Sequence, residues 1–272
     1  MTALSLGPPT FVIPPKLGRA RGALYMLERN LYIYRHNWYL LLAEVFEPVL
    51  YLLSIGVGIG ELVGHISGLG APGVTYAAFV APALLTTAAM NGAMNETTFN
   101  MYGKLRLTGT YNAITSSPMA ARHIALGEAL WAVLRGTLIT CGFLIVVTVL
   151  GLAESPGILL VIPGAALVGF AFASAGLVIV TYLRDFQDFQ YIQLAMLPMF
   201  LFATTFYPLD VYPRWLQLVV ECLPLYQSIQ LVRQPALGEF GMGLLVPVCY
   251  LVVMGVVALR WAVARLGVTL EK

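Results

Sequence analysis

The chain has 272 residues, of which 59% are apolar and only 10% charged, with a formal net charge of +2 and a mean hydropathy of +0.83. Soluble domains carry about 25% charged residues, so too few polar side chains exist here to cover a globule, and an ordinary water-soluble protein is excluded. The small net charge gives no basis for a nucleic-acid partner, and Cys141, Cys222 and Cys249 form no paired framework, so no disulfide is expected.

Residues 1–18 hold Pro8, Pro9, Pro14 and Pro15 and lack the basic-then-apolar order of a cleaved leader. They are expected to form a cytoplasmic tail, with the first apolar span directing insertion. Over 19–37, Ala20, Leu24, Leu27, Leu31 and Tyr34, with Trp38 just beyond, recur at spacings of three and four, while Arg21, Glu28, Arg29 and Arg35 stand mostly off that stripe. The pattern predicts an amphipathic helix lying in the headgroup plane. A cytoplasmic extension of the first span, without a bend, is the alternative.

Crossing a hydrocarbon core of about 30 Å takes about 20 helical residues. Apolar runs of that order lie at about 38–60, 74–98, 124–151, 158–182, 189–207 and 244–265. They are not the short alternating segments of a membrane barrel. The expected fold class is therefore all-α and polytopic, with six transmembrane helices inside a domain over 38–265 and a tail over 266–272. Lys16, Arg19, Arg21, Arg29 and Arg35 precede the first span; Lys104, Arg106 and Arg122 follow the second, Arg184 the fourth, and Arg260, Arg265 and Lys272 close the chain. Those twelve share one face of a six-span chain, against Arg214 and Arg233 on the other, which predicts both termini in the cytoplasm. Ala165, Gly169 and Ala173 form a small-residue stripe on span four that lets another helix approach closely. Gly56, Gly58 and Gly60 read as a flexible exit from span one.

Catalytic signatures are missing. There is no GxxxxGK[ST] loop, since the Gly103-Lys104 pair is followed by Leu105, and no HExxH, CxxC or GxSxG. His36, His65 and His123 are far apart, and Asp185 with Asp188 supplies too few ligands for a metal, reading instead as a solvated loop paired with cytoplasmic Lys or Arg. The chain is expected to be no enzyme and to bind no metal or cofactor.

Ionisable residues inside spans are functional candidates because each costs roughly 2.5–3.5 kcal/mol at a helix centre. Glu44 and Glu47, before Pro48, lie in the inner third of span one; Glu96 lies near the inner end of span two, Glu128 at the start of span three, and Arg135 seven residues deeper. Two readings fit: a polar inner vestibule that receives a headgroup, or interhelical ion pairs that neutralise Arg135 with Glu44, Glu47 or Glu128.

Two loops stand out. After span two, Thr110 can cap a short helix through Tyr111–Thr115, stopped by Pro118, of a kind suited to plugging a groove on a soluble partner; an ordinary connecting loop is the alternative. On the outer side, Pro213 opens a helix to about Cys222 and Pro224 another to about Arg233. Each is about 15 Å long, half a bilayer, so they can dip back into the membrane as re-entrant pieces. Trp215, Leu216, Val219, Leu223, Tyr226 and their apolar neighbours would then form a constriction at the outer mouth; an interfacial anchor lying flat is the alternative.

Phe79-Val-Ala-Pro-Ala-Leu-Leu-Thr-Thr-Ala-Ala-Met90, then Glu96, Tyr111-Asn-Ala-Ile-Thr-Ser-Ser-Pro118 and Gly127-Glu-Ala-Leu-Trp131, resemble the ABC-2 family of export permeases. Glu47-Pro48, Gly56-Val-Gly-Ile-Gly60 and Leu223-Pro-Leu-Tyr226 with Leu231-Val-Arg233 are similar to its nodulation protein J-like branch of lipooligosaccharide exporters. Ala83 departs from that branch, where glycine follows the proline, as does Tyr226-Gln227, where Ala-His is frequent. The resemblance implies a permease subunit in the cell (inner or plasma) membrane, working as a homodimer or with a paralogous permease. It implies two copies of a separate ABC ATPase, which would hold ATP and Mg. Tyr111, Asn112, Ala113, Ile114, Thr115 and Pro118 would form the coupling helix seated on the ATPase, and residues 213–233 the outer gate helices. The cargo would be a lipid-linked saccharide, glycolipid or amphiphilic drug, in contact with membrane lipid. An ion-coupled secondary transporter and an intramembrane enzyme acting on lipid-linked sugars are the competing functions.

Overall fold

A computed structural model describes residues 18–59, 75–152 and 156–270; the tail expected over 1–17, Gly60, His65 and the end of the expected 266–272 tail lie outside the described residues. Helix α1 (Arg19–Tyr34) ends in a turn at 35–38 before α2 (Tyr39–Tyr51), which runs on through a π-helical turn at Leu52–Val57. α3 (Tyr76–Asn95) continues through two such wider turns, Glu96–Asn100 and Gly103–Leu107. The short α4 (Thr110–Thr115) reverses the chain into α5 (Ala121–Val149). α6 (Val161–Val180) and α7 (Phe189–Phe202) follow, then α8 (Arg214–Glu221), α9 (Pro224–Ala236) and α10 (Leu245–Leu270).

Among the described residues, four helical segments are long and apolar enough to cross a membrane: Tyr76–Leu107, Ala121–Val149, Gly157–Val180 and Met242–Leu270. They overlap the expected spans two, three, four and six. Span two is longer than the expected 74–98, because its polar extension bonds to neighbouring helices instead of fraying. The expected span five is shorter. α7 has 14 residues, about 21 Å of helix, and stops at Phe202 because the backbone turns over at Thr204, whose φ is 61°. Arg233 of α9 holds that turn by donating from Nη2 to the Thr204 carbonyl at 2.8 Å.

Met26, Tyr102, Tyr111, Ile124, Leu177 and Leu266 pack together at one end of the bundle, and Phe79, Phe143, Val161 and Val232 at the other. α5 therefore runs antiparallel to α3, α6 and α10. α3 is the axis: nearly every residue from Tyr76 to Met94 is buried. That burial on all sides is possible because the helix is built of small side chains, including Ala77, Ala81, Ala89, Gly92 and Ala93, which let backbones approach. Its hydroxyls are silenced internally, Thr86 donating to the Pro82 carbonyl at 2.7 Å and Thr97 to that of Ala93 at 2.8 Å. The small-residue stripe of span four lies where α6 meets α5: Ala165 and Ala173 are buried, and a Cβ on Gly169 would stand 3.5 Å from the Val133 Cα.

α1 lies against α5, but of the stripe that the three-and-four spacing picks out Tyr34 meets α5 directly, at Arg135 and Trp131, while Leu24 and Leu31 do not. Gly22, Ala23, Met26 and Asn30 form the buried face, and Gly127 of α5 leaves room for the Met26 side chain. Leu24 and Leu31 face outward, as they would towards lipid.

A Cβ on Gly136 would stand 3.1 Å from the Ala89 carbonyl oxygen, backbone that cannot give way. Gly136→Val is expected to pry α5 from α3 and destabilise the fold by about 1–3 kcal/mol, the usual cost of overpacking. A lowered thermal midpoint in detergent checks this, with Gly267→Ala, which meets nothing within 4 Å, as the silent control.

Candidate functional site

The two wider turns that extend α3 bring Glu96, Asn100 and Lys104 onto one side of the helix. Such π-helical turns are frequent at functional sites. Glu96 is fully buried and accepts from Tyr34 Oη at 2.9 Å, Asn100 Nδ2 at 2.7 Å, Lys104 Nζ at 3.1 Å and Arg135 Nη1. Arg135 gives its other terminal nitrogen to Glu44 of α2 and donates to Tyr34 Oη at 2.7 Å. Glu128, also fully buried, accepts from Lys104 Nζ at 2.9 Å, Asn30 Nδ2 at 3.0 Å and Tyr111 Oη at 2.8 Å. One connected set of charges and hydroxyls thus joins α1, α2, α3, α4 and α5 at the end of the bundle where α4 lies.

Lys104 is the bridge, holding Glu96 and Glu128 together. Sequence reasoning placed it in a cytoplasmic loop, and it missed Tyr34, Asn30 and Asn100 as well. A signal was present: lysine eight residues after a buried glutamate, on a segment that stays apolar at Met101 and Leu105. The pairing of Arg135 also differs in part from expectation. Its carboxylates are Glu96 and Glu44, whereas Glu128, two turns away on its own helix, is taken by Lys104. Glu47 stands apart and lines a cavity with Glu44.

α4 is a six-residue helix whose preceding residue is Gly109 in a left-handed conformation, φ 60°. Glycine adopts that geometry at no steric cost, so the cap is Gly109, not Thr110. The turn folds α4 back under the bundle. Tyr111, expected on the partner-facing side, turns inward and is fully buried. Burial foremost, with the Glu128 charge beside it, pushes its phenol well above the ordinary range, so it remains a donor to Glu128. Asn112, Ala113 and Pro118 stay exposed, while Ile114 is half-buried against the cluster of Met26, Tyr111 and Leu266 and Thr115 is half-buried.

At the opposite end, α8 begins at Arg214 with Pro213 as its cap, and α9 runs from Pro224 to Ala236, three residues past the expected end. Trp215 and Val219 are exposed, and Leu216, Leu223 and Tyr226 are half-buried. α9 packs on α3 and α10, with the buried Arg233 guanidinium 3.8 Å from the centre of the Phe79 ring. Asp188 does not pair with a basic side chain as expected of a solvated loop. It caps its own turn, accepting from the amides of Arg184 at 2.6 Å and Asp185 at 3.2 Å, which hold its carboxyl below the usual range. Among the described residues no group of three or more His, Cys, Asp or Glu could hold a metal ion.

Removing one partner from a buried ion pair leaves an uncompensated charge and costs about 3–5 kcal/mol. Lys104→Met, which strands both Glu96 and Glu128, is expected to lower the thermal midpoint sharply. Lys104→Met with Glu96→Gln and Glu128→Gln should recover much of that loss. A triple variant no more stable than the single one overturns the bridging assignment.

The ABC-2 type transporter family profile matches residues 22–237. The chain is 32% identical to nodulation protein J of Rhizobium leguminosarum bv. viciae over 73% of its own length and 75% of that relative's. It is 33% identical to nodulation protein J of Rhizobium leguminosarum bv. trifolii over 73% and 74%. With nodulation protein J of Sinorhizobium fredii (strain NBRC 101917 / NGR234) the identity is 29% over 79% and 81%. With its apolar helices and this match over most of its length, the chain is an integral membrane protein and belongs to the ABC-2 type transporter family, as a membrane component of a transporter.

Proposed function

We propose that the chain is the permease subunit of an ATP-driven exporter that moves a lipid-linked saccharide, glycolipid or other amphiphile across the cell (inner) membrane. The observation that carries this reading is the attachment of α4. A short helix with an exposed, uncharged surface at Asn112 and Ala113 is pinned through Tyr111 to Glu128, and through Lys104 and Glu96 to Arg135 and Glu44. A push on α4 from a soluble partner would therefore be felt at α1, α2, α3 and α5 together. That is what a subunit without a phosphate-binding loop requires if its energy comes from another protein.

In this reading the chain crosses the membrane six times, α2 with its extension and α7 being the first and fifth crossings, and both termini lie in the cytoplasm. Two permease chains, identical or paralogous, sit on two ATPase subunits that hold ATP and Mg. α8 and α9 are re-entrant helices, and Trp215, Leu216, Val219, Leu223 and Tyr226 gate the outer mouth. The names of the relatives and the resemblance to the lipooligosaccharide-exporter branch support a saccharide-bearing cargo. An ion-coupled transporter is disfavoured because Glu44, Glu96 and Glu128 gather at one end of the bundle instead of forming a relay across it.

Ala113 is exposed, so Ala113→Glu tests the α4 surface without disturbing the packed side. Co-purification of the ATPase and ATP-driven uptake into inverted vesicles are expected to fall about tenfold, the equivalent of 1.4 kcal/mol of binding, with the thermal midpoint unchanged. The purified chain alone is expected to hydrolyse no ATP. Uptake by the chain alone, driven by a proton gradient, overturns the reading.

A further inference from the structure

Two adjoining cavities, of about 320 and 430 Å³, open between α2, α3 and α7 and share Glu44, Asn95, Gln193 and Met196 in their walls. Their walls mix polar and apolar groups. Glu44 and Glu47 from α2, Asn91 and Asn95 from α3 and Gln193 from α7 supply the polar ones, and Leu84 of α3 with Met196, Leu197 and Phe200 of α7 the apolar ones. Glu44 Oε2 is buried and has no hydrogen-bond partner among the described residues, and Glu47 enters no ion pair among them.

The smaller cavity has no lysine or arginine in its wall. Arg135 lines the larger one, but both of its terminal nitrogens are already engaged by Glu96 and Glu44. Arg135 is thus divided between Glu44 and Glu96, Lys104 between Glu96 and Glu128, and Glu47 adds a further carboxylate, so four carboxylates face two cations and an entering anion would meet net negative charge in a medium that screens it poorly. A ligand rich in hydroxyl or amine donors finds the opposite: two carboxylates and three amide oxygens that accept, the amide nitrogens for its own oxygens, and apolar side chains for a sugar face or the start of a lipid chain. Pockets of this kind, apolar with a few placed polar groups, orient a ligand through those groups.

We infer that this groove is a binding site for the neutral or amine-bearing saccharide head of an amphiphile, and that it selects against phosphate and other anionic heads. The inference rests on the exporter reading for its biological use, and it names the head chemistry that reading leaves open. Glu47, Asn91 and Asn95 are the specificity-determining residues. Glu44 is a poorer probe, because its loss also frees Arg135.

The test uses the full chain in phosphatidylcholine nanodiscs, with empty discs as the background. Radiolabelled dodecyl maltoside is bound and then displaced by dodecyl glucosaminide or dodecyl phosphate, three heads on one chain length. The maltoside and the glucosaminide are expected to bind about tenfold or more tighter than the phosphate. Glu47→Gln is expected to narrow that ratio by admitting the phosphate, and Asn91→Leu with Asn95→Leu to weaken the maltoside about fivefold without improving the phosphate. Glu47 and Asn95 are exposed and Asn91 is half-buried on the cavity wall, so these variants should keep a thermal midpoint close to that of the wild type. A phosphate head that binds as well as the others, or a ratio the variants leave unmoved, overturns the inference. ATP-driven uptake by the assembled complex is scored separately: head selectivity without ATP dependence sinks the exporter reading alone, and ATP-driven uptake without head selectivity sinks the groove alone.

Discussion

A carboxylate carried into an apolar bundle has to be neutralised where it stands, because moving an unpaired charge out of water costs far more than a fold of this size has to spare. Glu96 is that carboxylate here, fully buried near the end of the most enclosed helix. Its four donors come from α1, the extension of α3, and α5. Much of the local architecture follows. α3 stays helical past the end of its apolar run because Asn100 and Lys104 are needed beside Glu96. α1 is held to the bundle by Tyr34 and Asn30 as well as by its small-residue contact with α5. α2 is tied in by Glu44 through Arg135.

The same requirement links the parts that the proposed function treats as separate. The surface turn α4 and the cavity between α2, α3 and α7 touch opposite sides of one charge set, the first through Tyr111 and Glu128, the second through Glu44 and Arg135. Ion pairs buried in a low-dielectric bundle are geometrically demanding, so a shift at one member is poorly absorbed locally and passes to the next. A rigid polar set embedded in small-residue packing is a suitable connection between the two sites that the proposed function assigns to the partner and to the cargo. Far from it, α9 is anchored by a different device, Arg233 stacked on Phe79 and bonded to the Thr204 carbonyl. The two ends of α3 are therefore fastened independently.

Some readings from the chain were limited by what periodicity can see. Leu24 and Leu31 of the stripe lie on the outward side of α1, and nothing in a hydropathy pattern marks Gly22, Ala23 and Asn30 as the face that meets α5, since small and amide residues score as neither apolar nor charged. Tyr111 read as part of an exposed plug because its burial depends on Gly109 reversing the chain under a neighbouring helix end. Lys104 read as a loop lysine because positive charge after a span ordinarily marks the cytoplasmic face.

The sequence by itself determined that this is a helical membrane protein, where its main apolar helices lie, that a short helix runs through Tyr111–Thr115 and others follow Pro213 and Pro224, and which family it belongs to. Those features are set locally, by hydropathy over a helix length, by backbone geometry at proline, and by ordered motifs. Only the tertiary structure decided which charge meets which. Glu96, Glu128 and Arg135 each had several candidate partners within reach at the α4 end of the bundle, and the choice among them depends on helix rotation and on the wider turns of α3. Helix rotation is fixed by the whole of the packing around α3, through contacts between residues far apart in the chain, and no single stretch of residues contains it.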